Sequence, residues 1–397
     1  MRITCVGGGP AGLYFSLLMK LRDPRHDVML LERNATGATY GWGLTLEQDV
    51  LDLLHSNDPV SAGALKRACV HWTHQSVHIG GERTVEGGYS IYGIGRQALV
   101  DTLASRARDA GVHISYGHEV TGLAGLPPSD LIVAADGFRS RLRSAAGGFG
   151  TDVREGGNRY MWLGSSAPFD MFSYIFVPTD HGWVWAYAYQ FGTHASTVVV
   201  ECSPLTWAGL GFGAMSADQS VALLSDLFKD QLDGRQLIAR LPDGTTARWL
   251  NFPTVSNERW HTGNIVLAGD SAHTAHYSLG QGTTMALEDA IVLADSLRLH
   301  ANLETALTTY ETRRKAELAG PLSAARRSSE WFEDLPRYLR LEPHQFATVL
   351  HARWSPLVAM LPPRLSYQLR RTARTVRRAR RDPPPGSTRR RDHDQSA

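Results

Sequence analysis

Four side chains that could take part in catalysis lie close together in the segment LAGDSAHTAHYSLGQGTTMALEDA, residues 267–290. They belong to Asp270, Ser271, His273 and His276. An acid, a hydroxyl and an imidazole in one short stretch could form a hydrolase triad, and the two histidines could instead bind a metal. The chain has no G-x-S-x-G turn for a nucleophilic serine, and no HExxH motif or cysteine cluster supplies further metal ligands. We therefore predict neither a hydrolase nor a metal site.

The first residues of the chain contain a second pattern that could bind a ligand. In VGGGPAG, Gly7, Gly9 and Gly12 have the spacing G-x-G-x-x-G, and Glu32 follows twenty residues after Gly12. Such glycines let the backbone approach a pyrophosphate at a helix start, where unpaired N–H groups favour an anion. An acid at this distance accepts hydrogen bonds from ribose hydroxyls. The pattern predicts a dinucleotide site, and a tight turn beside an unrelated glutamate is the alternative.

The segments around both motifs indicate a parallel sheet. MRITCVGGGPAGLYFSLLMKL is typical of a strand, a glycine turn and a helix, and DVMLLER supplies the next strand. Apolar runs at DLIVAAD (130–136) and NIVLAGD (264–270) each end in Asp. Unbroken apolar strands that end in a polar residue suit a parallel sheet buried on both faces, with ligands at its carboxyl edge.

A different pattern occupies the middle of the chain. The segments NRYMWLGSS, MFSYIFVP, GWVWAYAYQF and STVVVECS are aromatic and β-branched, with turn residues between them, as in antiparallel strands. Because α/β segments lie on both sides, we predict an inserted domain. The predicted boundaries are 1–75, 90–155 and 256–330 for a discontinuous dinucleotide domain, 156–255 for the insertion, 331–365 for C-terminal helices and 366–397 for a basic, disordered tail.

Length, charge and cysteine usage limit the class of protein. A chain of 397 residues exceeds the roughly 250–300 at which a single core stops growing, so two domains are expected. Residues 364–397 hold eleven Arg and three Asp, whereas the whole chain carries a net charge of +2, so the remainder is acidic. The tail could bind an acidic partner, but an acidic body argues against nucleic acid. No CxxC pair and no apolar run of about 20 residues occurs. We expect a cytoplasmic monomer or homodimer without membrane or nucleic-acid partners.

Three segments together resemble a known family. VGGGPAG, DLIVAADGFRSRLR (130–143) and GNIVLAGDSAHTAHYSLGQG (263–282) are similar, in order, to the motifs of flavoprotein aromatic hydroxylases of the para-hydroxybenzoate hydroxylase type. YGWGLTLEQDVLDLL, YSIYGIGRQALVDTL and HGWVWAYAYQF resemble the branch of salicyloyl-CoA 5-hydroxylases and 2-aminobenzoyl-CoA monooxygenases, to which violacein-pathway tryptophan hydroxylases are related. The implied fold is α/β: a Rossmann-like FAD domain with an inserted, mainly antiparallel β-sheet substrate domain.

The resemblance implies a role for each matching residue. Arg96 would contact the pyrophosphate of FAD, Asp136 would serve both FAD and the nicotinamide donor, and Asp270 would hydrogen-bond the ribityl chain. The ADP half of FAD would be held by Gly7, Gly9, Pro10, Ala11, Gly12, Glu32 and Arg33. The flavin ring would lie at a helix start formed by Gly280, Gln281, Gly282 and Thr283. A helix N-terminus suits the negative charge of a reduced flavin.

The implied activity is hydroxylation of an aromatic acyl thioester such as salicyloyl-CoA. The reaction would use FAD, O2 and NADH or NADPH as a transient electron donor, and it would pass through a C4a-hydroperoxyflavin. A free indolic or aromatic amino acid, or an aryl group bound to a carrier protein, is the alternative substrate. A flavin-dependent halogenase is a further alternative, but WVWAYA (183–188) departs from the W-x-W-x-I-P signature of those enzymes.

Five residues are candidates for contact with the substrate. His276 and Tyr277 are the candidate catalytic residues, because the resemblance places their loop beside the flavin and because imidazole titrates near neutrality. Trp162, Trp185 and Tyr187 are candidate substrate contacts, the last two on one face of a strand. Ordinary packing in the sheet is the alternative for these aromatic side chains.

Overall fold

The computed structural model describes residues 1–38, 41–241 and 243–381, with the backbone alone for 373–381. The strands are β1 (Arg2–Val6), β2 (Asp27–Glu32), β3 (Gly43–Glu47), β4 (Val70–Ile79), β5 (Glu82–Gly95), β6 (His113–Tyr116), β7 (Leu131–Ala134), β8 (Thr151–Ser165), β9 (Phe172–Thr179), β10 (Gly182–Gly192), β11 (Ala195–Cys202), β12 (Leu237–Ile238), β13 (Leu250–Asn257), β14 (His261–Thr262) and β15 (Ile265–Leu267). The helices are α1 (Pro10–Arg22), α2 (Gln48–Asn57), α3 (Pro59–Ala68), α4 (Arg96–Asp109), α5 (Arg141–Ala146), α6 (Pro204–Gly209), α7 (Ala217–Leu227), α8 (Gly282–Leu299), α9 (Leu303–Glu333), α10 (Pro343–Leu350), α11 (Pro356–Met360) and α12 (Pro363–Arg381).

The first sheet carries the dinucleotide motif and has the strand order β14-β15-β7-β1-β2-β6. Its neighbours are parallel except β14 and β15, and Cys5 at the centre pairs with Leu30 on one side and Val133 on the other. Helix α1 packs against α4 and α8. These apolar strands are buried because helices cover them, as the unbroken hydrophobic runs predict. The α/β fold class is confirmed.

The second sheet has the order β12-β8-β11-β10-β9-β4-β5-β3, with β13 also paired to β8. All of its neighbours are antiparallel except β4 and β9. This sheet is larger than the predicted insertion, because it includes β3, β4 and β5 from the segments before residue 156. Strands β4 and β5 form a hairpin at Gly80 and Gly81, both with positive φ, a turn that the predicted boundaries left unassigned.

The two faces of the second sheet pack differently. One face is closed by α7 and the segments next to it, around Phe212, Leu224 and Phe228. The other face carries Tyr160, Tyr174, Trp185, Tyr187 and other rings, and the end of α9 and helix α10 cover it. We call this second surface the aromatic face.

The C-terminal part is helical through residue 381. Helices α10 and α11 lie in the predicted C-terminal segment, but α12 extends through the first half of the predicted disordered tail, and residues 382–397 lie outside the described residues. Across the described part of the chain, no helix combines the length and apolar character needed to cross a membrane.

Candidate active site

The turn after β1 needs glycine for steric reasons. Gly7 has φ of 111°, and a Cβ there would lie 2.1 Å from the carbonyl oxygen of Ala135. A Cβ at Gly12 would lie 2.1 Å from the carbonyl oxygen of Gly7. Helix α1 begins at Pro10, and no side chain caps its first turn. The turn therefore presents backbone N–H groups that suit a pyrophosphate.

Glu32 ends β2 beside this turn. Its carboxylate accepts hydrogen bonds from the backbone N–H of Gly8, at 2.6 Å, and of Asn34, at 2.8 Å. A cavity of about 160 Å³ adjoins the turn, and its walls include Gly7, Gly9, Glu32, Arg33, Asp136 and Arg139. Five of these residues, all except Arg139, were predicted to bind FAD, and they lie around one cavity. Glycine at the points of closest approach and an acid at the ribose position fit FAD.

The second motif is joined to the third by buried hydrogen bonds. One carboxylate oxygen of Asp136 accepts from the N–H of Arg141 at 2.8 Å, and its other oxygen is buried without a partner among the described residues. The guanidinium of Arg143 donates to the carbonyl oxygens of Ser271 and Phe138, both at 2.7 Å. The unpartnered oxygen of Asp136 is available to a ligand donor at the edge of the cavity.

The residues of the opening segment separate into different roles. Ser271 donates through Oγ to the carbonyl oxygen of Ala134 at 2.5 Å, so its hydroxyl ties two strands together. His273 Nε2 lies 2.9 Å from Asp289, which also accepts from Arg314 Nε at 2.8 Å. Ser271 and His273 are both buried, and their hydrogen bonds hold the local structure together. The contacts of these two side chains do not form a hydrolase triad.

Asp270 follows Gly269, where a Cβ would lie 3.0 Å from Ala11 of α1 and 3.5 Å from Ala286 of α8. The residue keeps access to solvent, yet desolvation by the surrounding protein raises the pKa of its carboxyl, and the positive charge of Arg96 opposes that effect. Arg96 is the first residue of α4, and its N–H donates to the carbonyl oxygen of Trp42 at 2.8 Å. A carboxylate and a guanidinium predicted to contact one ligand thus lie close enough to interact.

The helix start predicted to face the flavin is present. Helix α8 begins at Gly282, followed directly by Thr283, and Gln281 precedes it without a side-chain cap. Gly280 has φ of 71°, and a Cβ there would lie 2.7 Å from Oγ1 of Thr45 in β3. Strand β3 therefore approaches this turn closely, and the first N–H groups of α8 have no partner within the helix, as at any helix start.

His276 does not behave as a base that titrates near neutrality. Its Nδ1 accepts the backbone N–H of Ser278 at 3.3 Å and lies 2.9 Å from the Ser278 hydroxyl. Burial, together with the smaller effect of the positive charge of Arg353, lowers the pKa of His276 to about 3. The imidazole is therefore neutral near pH 7. The assignment of His276 as a catalytic residue stays a prediction, and a pKa this low makes its imidazole a weak proton acceptor.

Tyr277 belongs to a buried network that we did not predict. Its hydroxyl donates to Glu201 Oε2 at 2.7 Å, and the hydroxyl of Tyr187 donates to the same oxygen at 2.8 Å. Asn158 Nδ2 donates to the other oxygen at 2.8 Å. Glu201 is 1% exposed, and burial raises the pKa of its carboxyl. The only signal in the sequence was an acid within the apolar strand STVVVECS.

The three aromatic residues predicted to contact the substrate lie in different places. Tyr187 belongs to the Glu201 network, and its ring lies 5.7 Å from that of Tyr277. Trp185 is buried and stacks on Phe332 of α9, with ring centroids 5.9 Å apart. The ring of Trp162 lies 6.0 Å from the guanidinium of Arg96, on the side of the predicted pyrophosphate. Of these three contacts, the one between the rings of Tyr187 and Tyr277 joins a predicted substrate residue to a predicted catalytic residue.

Comparison with known proteins identifies the cofactor domain. Residues 128–320 match the family described as FAD binding domain. A solved structure of 2-methyl-3-hydroxypyridine-5-carboxylic acid oxygenase superposes with a TM-score of 0.69 at 20% identity, covering 84% of this chain and 90% of that chain. That likeness shows the fold.

Three relatives match most of the chain. Salicyloyl-CoA 5-hydroxylase from Streptomyces sp is 36% identical over 359 residues, which cover 87% of this chain and 68% of that protein. 3-Hydroxy-4-methyl-anthranilyl-(aryl-carrier protein) 5-monooxygenase from Streptosporangium sibiricum is 33% identical, covering 85% of this chain and 90% of that protein. Protodeoxyviolaceinate monooxygenase from Chromobacterium violaceum is 30% identical, covering 93% of this chain and 99% of that protein. The predicted resemblance is confirmed: the chain belongs to the FAD-dependent aromatic hydroxylases of the flavoprotein monooxygenase class.

Proposed function

We propose that the protein hydroxylates an aromatic acyl group that is carried as a thioester, such as salicyloyl-CoA. The observation that carries this proposal is the 36% identity with a salicyloyl-CoA 5-hydroxylase along 87% of the chain. A second relative, similar over 85% of the chain, acts on an aryl group bound to a carrier protein, so a carrier-protein thioester is the second candidate substrate. Both candidates are aryl thioesters.

When bound, FAD would supply activated oxygen from O2 with electrons from a nicotinamide dinucleotide, and the protein would provide binding, orientation and exclusion of water. Gly7, Gly9 and Gly12 would hold the pyrophosphate, and Glu32 would accept from the ribose. The start of α8, at Gly282, would stabilise negative charge on the flavin ring.

Tyr277 and Glu201 would orient the substrate ring and hold its proton. A ring hydroxyl beside Tyr277 can pass its proton to Tyr277 Oη while Tyr277 passes its own proton to Glu201 Oε2, 2.7 Å away. Burial raises the pKa of Glu201, which makes it a stronger proton acceptor than an exposed glutamate. A deprotonated ring is richer in electrons and is attacked more readily by electrophilic oxygen. His276, which stays neutral, would contact the ring without taking a proton.

The test uses the protein loaded with FAD. NADH or NADPH oxidation is followed with salicyloyl-CoA, 2-aminobenzoyl-CoA, a carrier-protein thioester, salicylate and an indolic amino acid, and products are identified by mass. We expect a thioester to stimulate oxidation and to gain one oxygen atom. Turnover of the amino acid alone, or a halogenated product in the presence of halide, would contradict the proposal. Failure to take up FAD would contradict the assignment to the family itself.

A further inference from the structure

A second cavity, of about 400 Å³, lies against the aromatic face and outside the dinucleotide site. It lies where β3 ends and α2 begins, beside β5, and is closed on the far side by the segment that follows α10. Six of its lining residues matter here: Glu47, Asp49, Tyr89, Tyr174, Arg353 and Trp354. Trp354 is 40% exposed, so one end of the cavity reaches the protein surface.

Arg353 places a buried positive charge in the wall of this cavity. The residue is 2% exposed, and its Nε donates to the hydroxyl of Ser328 at 2.8 Å. The terminal nitrogens donate to the carbonyl oxygen of Leu350 at 2.9 Å, to the hydroxyl of Tyr174 at 3.2 Å and to the carbonyl oxygen of Ser278. All of these acceptors are neutral. Within residues 1–38, 41–241 and 243–381, no carboxylate forms an ion pair with this guanidinium.

A buried cation without a carboxylate is costly unless its surroundings compensate for the charge. Here the compensation comes from the faces of aromatic rings, since the guanidinium carbon lies 5.3 Å from the ring centre of Tyr174 and 5.4 Å from that of Trp354. Rings and carbonyl groups do not neutralise the charge. The guanidinium therefore remains able to attract an additional oxygen acceptor in the cavity.

Two residues in the wall of the cavity, Arg353 and Tyr174, contact the neighbours of the proposed reaction site. Ser278, whose carbonyl oxygen binds Arg353, follows Tyr277 directly and precedes the turn at Gly280. The ring of Tyr174 packs edge-on against that of Tyr187, with centroids 5.7 Å apart. A ligand that reaches from the surface past Arg353 would thus bring its far end close to Tyr277 and Tyr187.

The charges around the cavity favour a neutral ligand over an anion. Glu47 and Asp49 face the space that Arg353 lines, so the three charged lining residues sum to a negative charge. Desolvation raises the pKa of Glu47, and the nearby charge of Asp49 adds to that shift, although both side chains keep access to solvent. Next to the cavity, His351 lies 3.5 Å from Glu86. A free aryl carboxylate would meet two like charges, whereas a thioester would not.

We propose that this cavity binds the acyl group and the pantetheine-type arm of an aryl thioester, with Arg353 donating to the acyl carbonyl oxygen. The inference rests on the proposed function and deepens it. The aromatic ring lies inward at Tyr277, the thioester carbonyl lies at Arg353, and the neutral arm passes Tyr89 and Trp354 to the surface. CoA and carrier proteins share this arm, so the wall of the cavity recognises a feature common to both.

The test compares Arg353→Met with Arg340→Met, which removes an exposed arginine outside the cavity. The substrates are salicyloyl-CoA, the pantetheine thioester of salicylic acid and salicylate itself. Loss of a charge-assisted hydrogen bond predicts that Arg353→Met lowers kcat/KM for both thioesters roughly 10- to 100-fold. Arg340→Met should behave as wild type. Bound FAD, measured by its absorbance, reports whether each variant has folded.

Asp49→Asn provides a second measurement that does not disturb a buried residue. Removing one of the two acids should raise the turnover of salicylate relative to either thioester severalfold. The pantetheine thioester carries the whole arm without the nucleotide, so turnover close to that of the CoA ester means that the arm alone is recognised. A much slower reaction assigns recognition to the nucleotide, which the cavity does not hold, and overturns the inference.

The remaining outcomes separate the two proposals. If the wild type turns over no thioester, the proposed function is wrong. If the wild type turns over a thioester and folded Arg353→Met keeps the same kcat/KM, the cavity does not bind the acyl group. If Arg353→Met does not fold, Arg353→Lys is measured in its place. In that case the Asp49→Asn variant decides: if its ratio of salicylate turnover to thioester turnover equals that of the wild type, the inference is overturned.

Discussion

Buried charge is held in two different ways in the two parts of the molecule. In α8, just after the third motif, the carboxylate of Asp289 is fully buried and contacts His273 at 2.9 Å and Arg314 at 2.8 Å. On the aromatic face, Glu201 is bound by hydroxyl and amide groups, and Arg353 by carbonyl and hydroxyl oxygens. The first region pairs opposite charges, and the second keeps each charge apart.

The difference follows what each region has to do. Asp289 also accepts the backbone N–H of Gly269 at 2.8 Å, so the ion pairs fix the turn that carries Asp270. A paired charge stabilises one backbone geometry and has little affinity left for a ligand. Glu201 and Arg353 are surrounded by neutral groups, so each can still respond to a proton or an acceptor brought by a substrate. Four predictions test this comparison.

The largest effect is expected from Arg314→Met. Loss of Arg314 leaves Asp289 buried with one partner fewer, and breaking a buried ion pair typically costs about 3–5 kcal/mol. The free energy of unfolding, measured by denaturant titration of the FAD-loaded protein, should fall by that amount. The control is Arg313→Met, one residue earlier in α9, where an exposed pair with Glu317 contributes less than about 1 kcal/mol. Equal losses in the two variants would mean that the buried pairs do not stabilise the turn.

Glu201→Gln should impair catalysis far more than FAD binding. An amide cannot take up the proton from Tyr277, and lost general base catalysis lowers kcat roughly 100-fold. Because Glu201 acts through Tyr277, a substrate with a more acidic ring hydroxyl should lose less. Single-turnover kinetics with both substrates measures this, with the exposed Glu155→Gln as control. The same loss for both substrates would show that Glu201 only supports packing.

Gly12→Ala tests the steric requirement of the dinucleotide turn. The new Cβ would lie 2.1 Å from the carbonyl oxygen of Gly7, and such overpacking costs about 1–3 kcal/mol. We expect a lower melting temperature and loss of bound FAD on gel filtration. Gly320→Ala, in α9, has open space around its Cβ and should keep FAD. Full FAD retention in Gly12→Ala would show that the turn can relax.

His276→Asn should change the pH dependence of stability. The pKa of His276 falls from an ordinary 6.5 to about 3 in the folded protein, so the unfolded chain binds the proton first as the pH falls. The neutral imidazole therefore contributes stability above about pH 6.5 that is lost progressively toward pH 3. Besides Ser278, the groups that face this ring are Arg353, Phe252 and Tyr277. Melting temperatures between pH 7.5 and 4 should fall less steeply in the variant, and parallel curves would contradict the prediction.

The dinucleotide half could be predicted because its chemistry lies in consecutive residues. The turn at Gly7–Gly12, the acid at Glu32 and the helix start at Gly282 depend on local backbone geometry, which glycine spacing and apolar runs reveal directly. The fold class and the FAD cofactor followed from the same short segments. The extent of the second sheet could not be predicted in the same way, since β3, β4 and β5 join it through pairings with distant strands.

The aromatic face could not be predicted, because its polar groups come from segments far apart in the chain. Asn158, Tyr187, Glu201 and Tyr277 meet only when β8, β10 and β11 pair and the turn before α8 packs on them. Arg353 reaches Ser278 only after the C-terminal helices cover the sheet. The pKa of His276 likewise depends on how deeply folding buries its ring. Proton affinity and the pairing of charges are set by burial and by neighbours in space. Residues that are adjacent in the sequence reveal neither the burial of a side chain nor its neighbours in the folded protein.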